Sequence, residues 1–162
     1  MCLYVDDIIF TRNDELMFAK FKKSMMFEFD MTNLGRMRYF LGIEVMQRLD
    51  GIFISQKKYA KEVLERFSMD KANPIHNPMV LGFKLTKNVD GVRIDNTFYK
   101  QIVRSLMYLT ITRPDVLFLV SLINRFMDCP TKLHFQVAKR ILRYLKGTID
   151  FGVLQEKKEV RN

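Results

Sequence analysis

Residues 38–67 read RYFLGIEVMQRLDGIFISQKKYAKEVLERF, and this stretch decides the fold. Two runs rich in β-branched and aromatic residues, 38–47 and 52–55, flank the dipeptide Asp50-Gly51, which is a strong turn signal between two strands. In residues 56–67 the apolar side chains recur at helical spacing, and the lysines fall largely on other faces. The stretch therefore predicts a β-hairpin followed directly by an amphipathic helix.

A second hairpin is predicted at the N-terminus. Residues 1–10 are apolar and strand-forming except for Asp6 and Asp7, which fall where such a hairpin would turn. From there the spacing of the apolar residues becomes helical and predicts a helix over about 14–28, capped by Asn13 or Asp14.

The rest of the chain is predicted to be mainly helical. Residues 70–97 contain prolines and glycines without a sustained period, which indicates a long connecting segment and a subdomain boundary. Helices are predicted for about 98–111, 114–126 and 131–146, with Pro114 in a first turn, Thr131 as a cap and Gly147 at an end. The predicted fold class is α+β.

Composition narrows the choice of partner. The chain has 162 residues, of which 48% are hydrophobic, enough for one packed domain. Its net charge of +9 favours nucleic acid or an anionic membrane surface, although an inert basic surface explains it nearly as well. Because no apolar run approaches the roughly 20 residues of a membrane span, no membrane helix is predicted.

The N-terminus and the cysteine count point to a protein that is not secreted. The first residues lack the basic segment, apolar run and cleavage site of a secretory signal, so cytoplasmic or nuclear residence is expected. Cys2 and Cys129 form neither a disulfide framework nor a zinc cluster, and His76 and His134 are isolated from both. All four are interpreted as non-ligands.

Asp6 and Asp7 are the candidate catalytic pair. Two adjacent carboxylates on an apolar hairpin are costly unless a cation neutralises them. Mg²⁺, with Mn²⁺ as the alternative, prefers such oxygen ligands, and pairs of ions about 3.5–4 Å apart serve phosphoryl and nucleotidyl transfer. From the dipeptide alone, an ordinary exposed Asp-Asp turn is the better explanation.

The residues around Asp6 and Asp7 favour a metal site over an ordinary exposed turn. Tyr4-Val5-Asp6-Asp7, with apolar residues on both sides, resembles the signature hairpin of reverse transcriptases, specifically those of copia-type retrotransposons. Most of residues 3–148 resembles the same family, through the segments FKKSMMFEFDMTNLG, YFLGIEV, GIFISQKKYAKEVLERF, SLMYLTITRPDVLF, VSLINRFMDCPTKLH and AKRILRYLKGT.

The resemblance implies a partial palm with antiparallel hairpins, followed by a helical thumb-like subdomain. The implied divisions are a palm portion with both hairpins (1–55), a first thumb helix (56–69), a connecting segment (70–97), a helical thumb or connection region (98–148) and a divergent tail (149–162).

The resemblance also implies roles for individual residues. Asp6 and Asp7 would be catalytic metal ligands, and Tyr4 and the segment Phe40-Leu41-Gly42 would lie against nucleic acid, the latter at the primer end. Lys57, Lys58 and Lys61 would meet phosphates, although a solvated helix face explains these three lysines equally well. The implied partners are an RNA template and a DNA primer, and the oligomeric state stays open.

Some features depart from the family. Its polymerases begin upstream with fingers and a further metal-binding Asp, so the metal site is expected to be incomplete and the chain inactive by itself. Arg12 and Arg104 stand where the family usually has Gly, and Arg104 is expected either to reach solvent or to disrupt a close contact. The alternatives are a basic nucleic-acid-binding remnant without chemistry and a pseudogene product.

Overall fold

The computed structural model describes residues 2–4, 7–10, 14–79, 85–86 and 91–156. The chain forms two compact units, Met1–Arg38 and Tyr39–Asn162, which are described separately. The described residues contain five helices and only antiparallel strands. The predicted α+β class is therefore confirmed.

The first unit contains the predicted hairpin and helix. Strand β1 (Cys2–Tyr4) pairs antiparallel with β2 (Asp7–Ile9), and helix α1 spans Glu15–Glu28. The helix begins where its cap was predicted, because the backbone N–H of Met17 donates to the Asp14 carboxylate at 3.1 Å.

The side chains of α1 are largely open to solvent. None of its residues is buried, and Phe27 is 88% exposed. Phe21 stacks on Phe10 from the end of the hairpin, with ring centroids 4.4 Å apart. The apolar residues that recur at helical spacing here are Phe18, Phe21, Met25 and Phe29. Phe21 and Met25 are half-buried and the other two are exposed, so this face is only partly covered within the described residues.

The second unit is built on a four-stranded antiparallel sheet. Its strands are β3 (Tyr39–Phe40), β4 (Ile43–Gln47), β5 (Gly51–Ser55) and β6 (Gly152–Glu156), in that order. The predicted hairpin around Asp50-Gly51 is confirmed. The single strand predicted for 38–47 is wrong, because a turn at Leu41-Gly42 divides it into β3 and β4.

Strand β6 was not predicted, and it closes the sheet with residues far away in sequence. It pairs with β5 along its whole length, from Gly51↔Glu156 to Ser55↔Gly152. A Cβ on Gly51 would lie 2.2 Å from the carbonyl oxygen of Gln155, and one on Gly152 would lie 2.3 Å from that of Ile54. The two strands approach this closely because both positions lack a side chain.

Four helices complete the second unit. They are α2 (Lys57–Arg66), α3 (Asn96–Leu109), α4 (Pro114–Asn124) and α5 (Lys132–Gly147), all within about two residues of the predicted bounds. Pro114 occupies the first turn of α4, as predicted. Their inner faces form the core, whose fully buried side chains include Val63, Tyr99, Val103, Leu106, Ile123, Ile141 and Leu145.

The segment before α3 lies along α5. The backbone N–H of Ile75 donates to the carbonyl of Arg143 at 3.4 Å, and Arg143 Nε donates to the carbonyl of Asn73 at 2.7 Å. Arg93 forms a β-bridge with Thr131. The described part of 70–95 contains no helix or strand, and the residues on its two sides belong to one compact unit.

His134 is a buried residue in the first turn of α5 and caps the start of this helix. The N–H of Thr131 donates to His134 Nδ1 at 3.0 Å, forming a capping box in which histidine takes the usual place of Glu or Gln. The other ring nitrogen lies 3.2 Å from the carbonyl of Thr86, which fixes the neutral Nε2–H tautomer. The ring stacks on Phe126 at 4.0 Å. Burial lowers the pKa of His134, although the Thr86 contact opposes the shift.

Arg113 is a buried cation with several hydrogen-bond partners. It is 3% exposed, and its guanidinium grips Asp115 through Nε at 2.9 Å and Nη2 at 2.7 Å. It also donates to the Thr148 carbonyl at 2.9 Å and to the Thr148 hydroxyl at 2.6 Å. Tyr144 adds a hydrogen bond to Asp115 at 2.9 Å, and the Phe151 ring lies 5.4 Å from the cation. Burial raises the pKa of Asp115, but the Arg113 contacts and Tyr144 outweigh it and lower that pKa overall.

Replacing Arg113 by Met is expected to lower the free energy of unfolding by about 3 kcal/mol, because Asp115 then keeps a half-buried charge without its partner. Arg113→Lys should recover only part of this loss, since an ammonium cannot form the two-pronged contact. Urea denaturation followed by circular dichroism measures both. Arg104→Met, at an exposed position of α3, is the control and should change stability by at most about 0.5 kcal/mol. Equal effects of the two Met variants would contradict the role given to Arg113.

His134 predicts a pH dependence of stability. Its pKa in the folded protein lies below the ordinary 6.5, so below pH 6.5 the unfolded chain binds more protons than the folded one. The contribution of neutral His134 to the free energy of unfolding is therefore fully present above pH 6.5 and is lost as the pH falls below it. His134→Gln keeps a capping side chain and should lose this dependence in urea midpoints measured from pH 7.5 downward. His76→Gln, at an exposed position, should retain it, and identical profiles for the two variants would refute the assignment.

Candidate nucleic-acid interface

The first candidate element is the hairpin that carries the two aspartates. The predicted hairpin is present, but Asp7, predicted to lie at the turn, is the first residue of β2 and pairs with Tyr4. Asp6 lies outside the described residues, as do the side chains of Tyr4 and Asp7. Their roles in metal and nucleic-acid binding stay predictions. Among the described residues, no three His, Cys, Asp or Glu side chains come together to hold a metal ion.

The second candidate element is the tight turn between β3 and β4. Phe40 pairs with Ile43, so the loop consists of Leu41 and Gly42, with φ of 48° and 76°. Positive φ at both loop residues is the signature of a type I′ turn, whose twist matches that of the flanking strands. Glycine adopts this conformation freely, whereas leucine does so at a cost. The surrounding structure must offset the strain at Leu41.

Two tyrosines hold this turn in place. The hydroxyl of Tyr108, on α3, donates to the carbonyl of Leu41. The Tyr108 ring lies 3.4 Å from where a Cβ on Gly42 would stand, and Tyr59 of α2 packs edge-on against that ring at 5.0 Å. A Cβ at position 42 would be in ordinary van der Waals contact with this ring, so the positive φ, and not the ring, is what favours glycine there. The approach of nucleic acid to Gly42 stays a prediction.

The three predicted phosphate-binding lysines have different surroundings. The backbone N–H of Lys58 donates to Glu44 Oε1 at 2.6 Å, and its ammonium lies 5.8 Å from the Tyr39 ring centroid, so Lys58 lies beside the β3–β4 hairpin. Lys57 is instead ion-paired with Asp150, whose hydrogen bond and charge raise the pKa of Lys57. Lys61 is exposed.

The supporting contacts were not visible in the sequence. Tyr59 belongs to the apolar spacing of residues 56–67, and nothing in the spacing of Tyr108 indicates a hydrogen bond with a turn 67 residues earlier. The side chains of Gln56 and Thr112 are both buried and hydrogen bonded at 2.9 Å, which joins the start of α2 to the turn between α3 and α4. Such pairs are formed only when distant segments pack together.

The open alternative for Arg104 is decided by the fold. Its side chain is exposed on α3, so the cation reaches solvent. Arg12 lies outside the described residues. None of the helices formed by described residues is long and apolar enough to cross a membrane.

Comparison with known proteins assigns the family. The reverse transcriptase (RNA-dependent DNA polymerase) family matches residues 1–81, which is half of the chain. The chain belongs to the reverse transcriptase family. The matched region contains both candidate hairpins and α2, so the resemblance inferred from the motifs is confirmed.

Relatives of this chain include polyproteins of plant transposons and a plant mitochondrial protein. It is 38% identical over 157 residues to the retrovirus-related Pol polyprotein from transposon RE1 of Arabidopsis thaliana, covering 97% of this chain and 11% of the relative. Identity is 36% to the Pol polyprotein from transposon TNT 1-94 of Nicotiana tabacum, over 91% of this chain and 12% of that protein.

The uncharacterized mitochondrial protein AtMg00810 of Arabidopsis thaliana is 36% identical over the whole chain and 67% of its own length. The chain thus spans about a tenth of the Pol polyproteins and two thirds of the mitochondrial protein. No solved structure matches it.

Substitution of Gly42 tests the anchored turn. Gly42→Val should lower the free energy of unfolding by about 2–3 kcal/mol, because a β-branched residue opposes the positive φ of 76° at this position. Gly42→Asn should cost roughly 1 kcal/mol less, since Asn tolerates that conformation. Thermal and urea unfolding measure the difference. Gly35→Val is the control. Gly35 has a similar φ of 77°, a Cβ added to it would have no atom within 4 Å, and it belongs to the other compact unit. Equal costs for Gly42→Val and Gly42→Asn would show that backbone conformation does not govern this position.

Proposed function

We propose that the chain is the palm and thumb portion of a copia-type reverse transcriptase, an RNA-directed DNA polymerase. The main support is the turn at Leu41-Gly42, held against α2 and α3 by Tyr59 and Tyr108, in a chain of the reverse transcriptase family. A rigid two-residue turn with Lys58 beside it suits a site where a primer end must be positioned.

The metal site proposed for this function rests on Asp6 and Asp7. Carboxylate oxygens are the hard ligands that Mg²⁺ and Mn²⁺ prefer, so the donor type fits. The number of ligands does not fit, since two carboxylates fill only part of the near-octahedral coordination shell of Mg²⁺. Bound ions would supply electrostatic stabilisation of the charge that develops during nucleotidyl transfer. The chain's own part is to present both carboxylates at the end of one hairpin.

The nucleic-acid surface proposed here joins the β3–β4 turn to the start of α2. Lys58 and Lys61 would contact phosphates of an RNA template and DNA primer, which positions the duplex without reading its sequence. Lys57 is held by Asp150 and would contribute less. The net charge of +9 favours the approach of such a polyanion.

The 162 residues are proposed to be inactive when tested by themselves. By resemblance, the family places a further metal-binding Asp and the nucleotide-binding fingers upstream of the Asp6-Asp7 hairpin. Without them, both the stabilisation of charge and the positioning of the incoming nucleotide would be weakened.

Primer extension tests this proposal. A DNA primer annealed to an RNA template is incubated with the folded chain, deoxynucleotides and Mg²⁺ or Mn²⁺, beside the variant Asp6→Asn/Asp7→Asn. No extension is expected from either protein, although both should bind the hybrid. Extension that disappears in the double variant would refute inactivity and would locate the chemistry at the hairpin.

A second candidate function is hybrid binding without any chemistry. It is favoured by the placement of Lys58, Lys61 and the anchored turn in the second compact unit, whereas the two aspartates belong to the first. In this case the affinity for the hybrid would be the same with and without divalent ions and in the double Asn variant. A polymerase remnant should instead bind more tightly when Mg²⁺ is present.

Lysine variants measure the proposed surface in either case. Lys58→Gln and Lys61→Gln should each weaken hybrid binding and reduce the slope of log affinity against log salt by about 1, the value for one lost phosphate contact. Lys57→Gln should change the slope less, because Asp150 already pairs with Lys57. Lys132→Gln, at the opposite end of α5 from Asp150, is the charge-matched control and should leave the slope unchanged. Equal slopes for all four variants would show that charge alone, and not this surface, binds the hybrid.

A further inference from the structure

A cleft in the second unit lies away from the proposed nucleic-acid surface. It is formed by α4, α5 and the segment that follows α2, and has a volume of about 410 Å³. This size falls within the range of small-molecule sites, roughly 300–1,000 Å³. Its residues take no part in the β3–β4 turn or in the contacts of Lys57, Lys58 and Lys61.

The walls of the cleft are apolar. They include Leu119 and Leu122 of α4, Val137 of α5, and Met69 and Met79 from the segment after α2. Methionine and leucine side chains adapt to an apolar ligand of variable shape, and burial of that ligand removes apolar surface from water.

The polar groups of the cleft are almost all cationic. Lys139, Arg140 and Arg143 line it, and no Asp or Glu is among its described lining residues. Arg143 Nε is satisfied by the carbonyl of Asn73 at 2.7 Å. Arg140 Nε, in contrast, is buried and has no hydrogen-bond partner within the described part of the chain. This nitrogen is closed off from the cleft, so the part of Arg140 that a ligand in the cleft can contact is the terminal end of its guanidinium.

We propose that this cleft binds a free monocarboxylate with an apolar body, such as a medium-chain fatty acid. The apolar body would fill the space between α4 and α5, and the carboxylate would accept hydrogen bonds from the guanidinium of Arg140. A planar carboxylate matches the fork of an arginine in two parallel hydrogen bonds. Lys139 and Arg143 add positive charge near the head group and disfavour a neutral or cationic ligand.

The apolar walls distinguish this site from a phosphate-binding surface. A nucleic-acid backbone presents repeated charges and would leave Leu119, Leu122 and Val137 without an apolar partner. A single charge attached to an apolar body satisfies both features at once.

Methionine methyl groups report occupancy directly. The full chain is labelled with [¹³C-methyl]methionine and titrated with decanoate, and the signals of Met69 and Met79 are assigned from Met→Leu variants. These two signals should shift and saturate, whereas Met46 and Met107, which are exposed elsewhere, should not move. Decanamide, which has the same body without the charge, should bind more weakly.

Two kinds of variant separate the head group from the body. Arg140→Gln should weaken the binding of decanoate by about tenfold or more, as expected for loss of a charged hydrogen bond. The affinity for decanamide should stay unchanged. Arg140→Lys should recover part of that loss. Val137→Phe should weaken both ligands by filling the cleft. Arg104→Gln, an exposed arginine on α3, is the charge-matched control and should have no effect.

Several results would overturn the proposal. They are no saturable shift at Met69 and Met79, equal shifts at Met46 and Met107, or equal binding of decanoate and decanamide. Displacement of decanoate by an RNA–DNA hybrid that shifts the same two methyl groups would assign the cleft to nucleic acid instead.

Discussion

The buried guanidinium of Arg113 is the contact on which the second unit most depends. It joins the start of α4 through Asp115, the end of α5 through Thr148 and the approach to β6 through the ring of Phe151. A buried cation is costly unless an opposite charge and hydrogen-bond acceptors compensate it, as Asp115 and Thr148 do here. The three segments therefore have to be in place together, which makes the helices and the last strand one cooperative structure.

That arrangement also supports the candidate nucleic-acid interface. With β6 paired to β5, the hairpin of β4 and β5 has a neighbour on its far side, and the β3–β4 turn is held by Tyr108 and Tyr59 on its near side. Sites on such supported elements keep their geometry better than sites on free loops. The first unit differs, because α1 has no buried residue within the described part of the chain.

Most helices and the main hairpin could be predicted because their signals are local. The Asp50-Gly51 turn, the cap at Asp14 and Pro114 at the start of α4 each depend on neighbouring residues. The break at Leu41-Gly42 was missed because leucine rarely adopts positive φ, and the contacts that support the turn, such as that with Tyr108, come from distant residues. The strand β6 was missed because its partner lies about a hundred residues earlier.

The sequence by itself determined the family, the α+β class and the position of the Asp6-Asp7 hairpin, since motifs and periodicities are properties of short segments. Only the tertiary structure decided that Lys57 pairs with Asp150 while Lys58 stays beside the turn, and that Arg113 and His134 are buried. The physical reason is that a side chain's charge environment and burial are set by groups distant in sequence. The local sequence pattern does not specify which of those distant groups will pack against a given side chain.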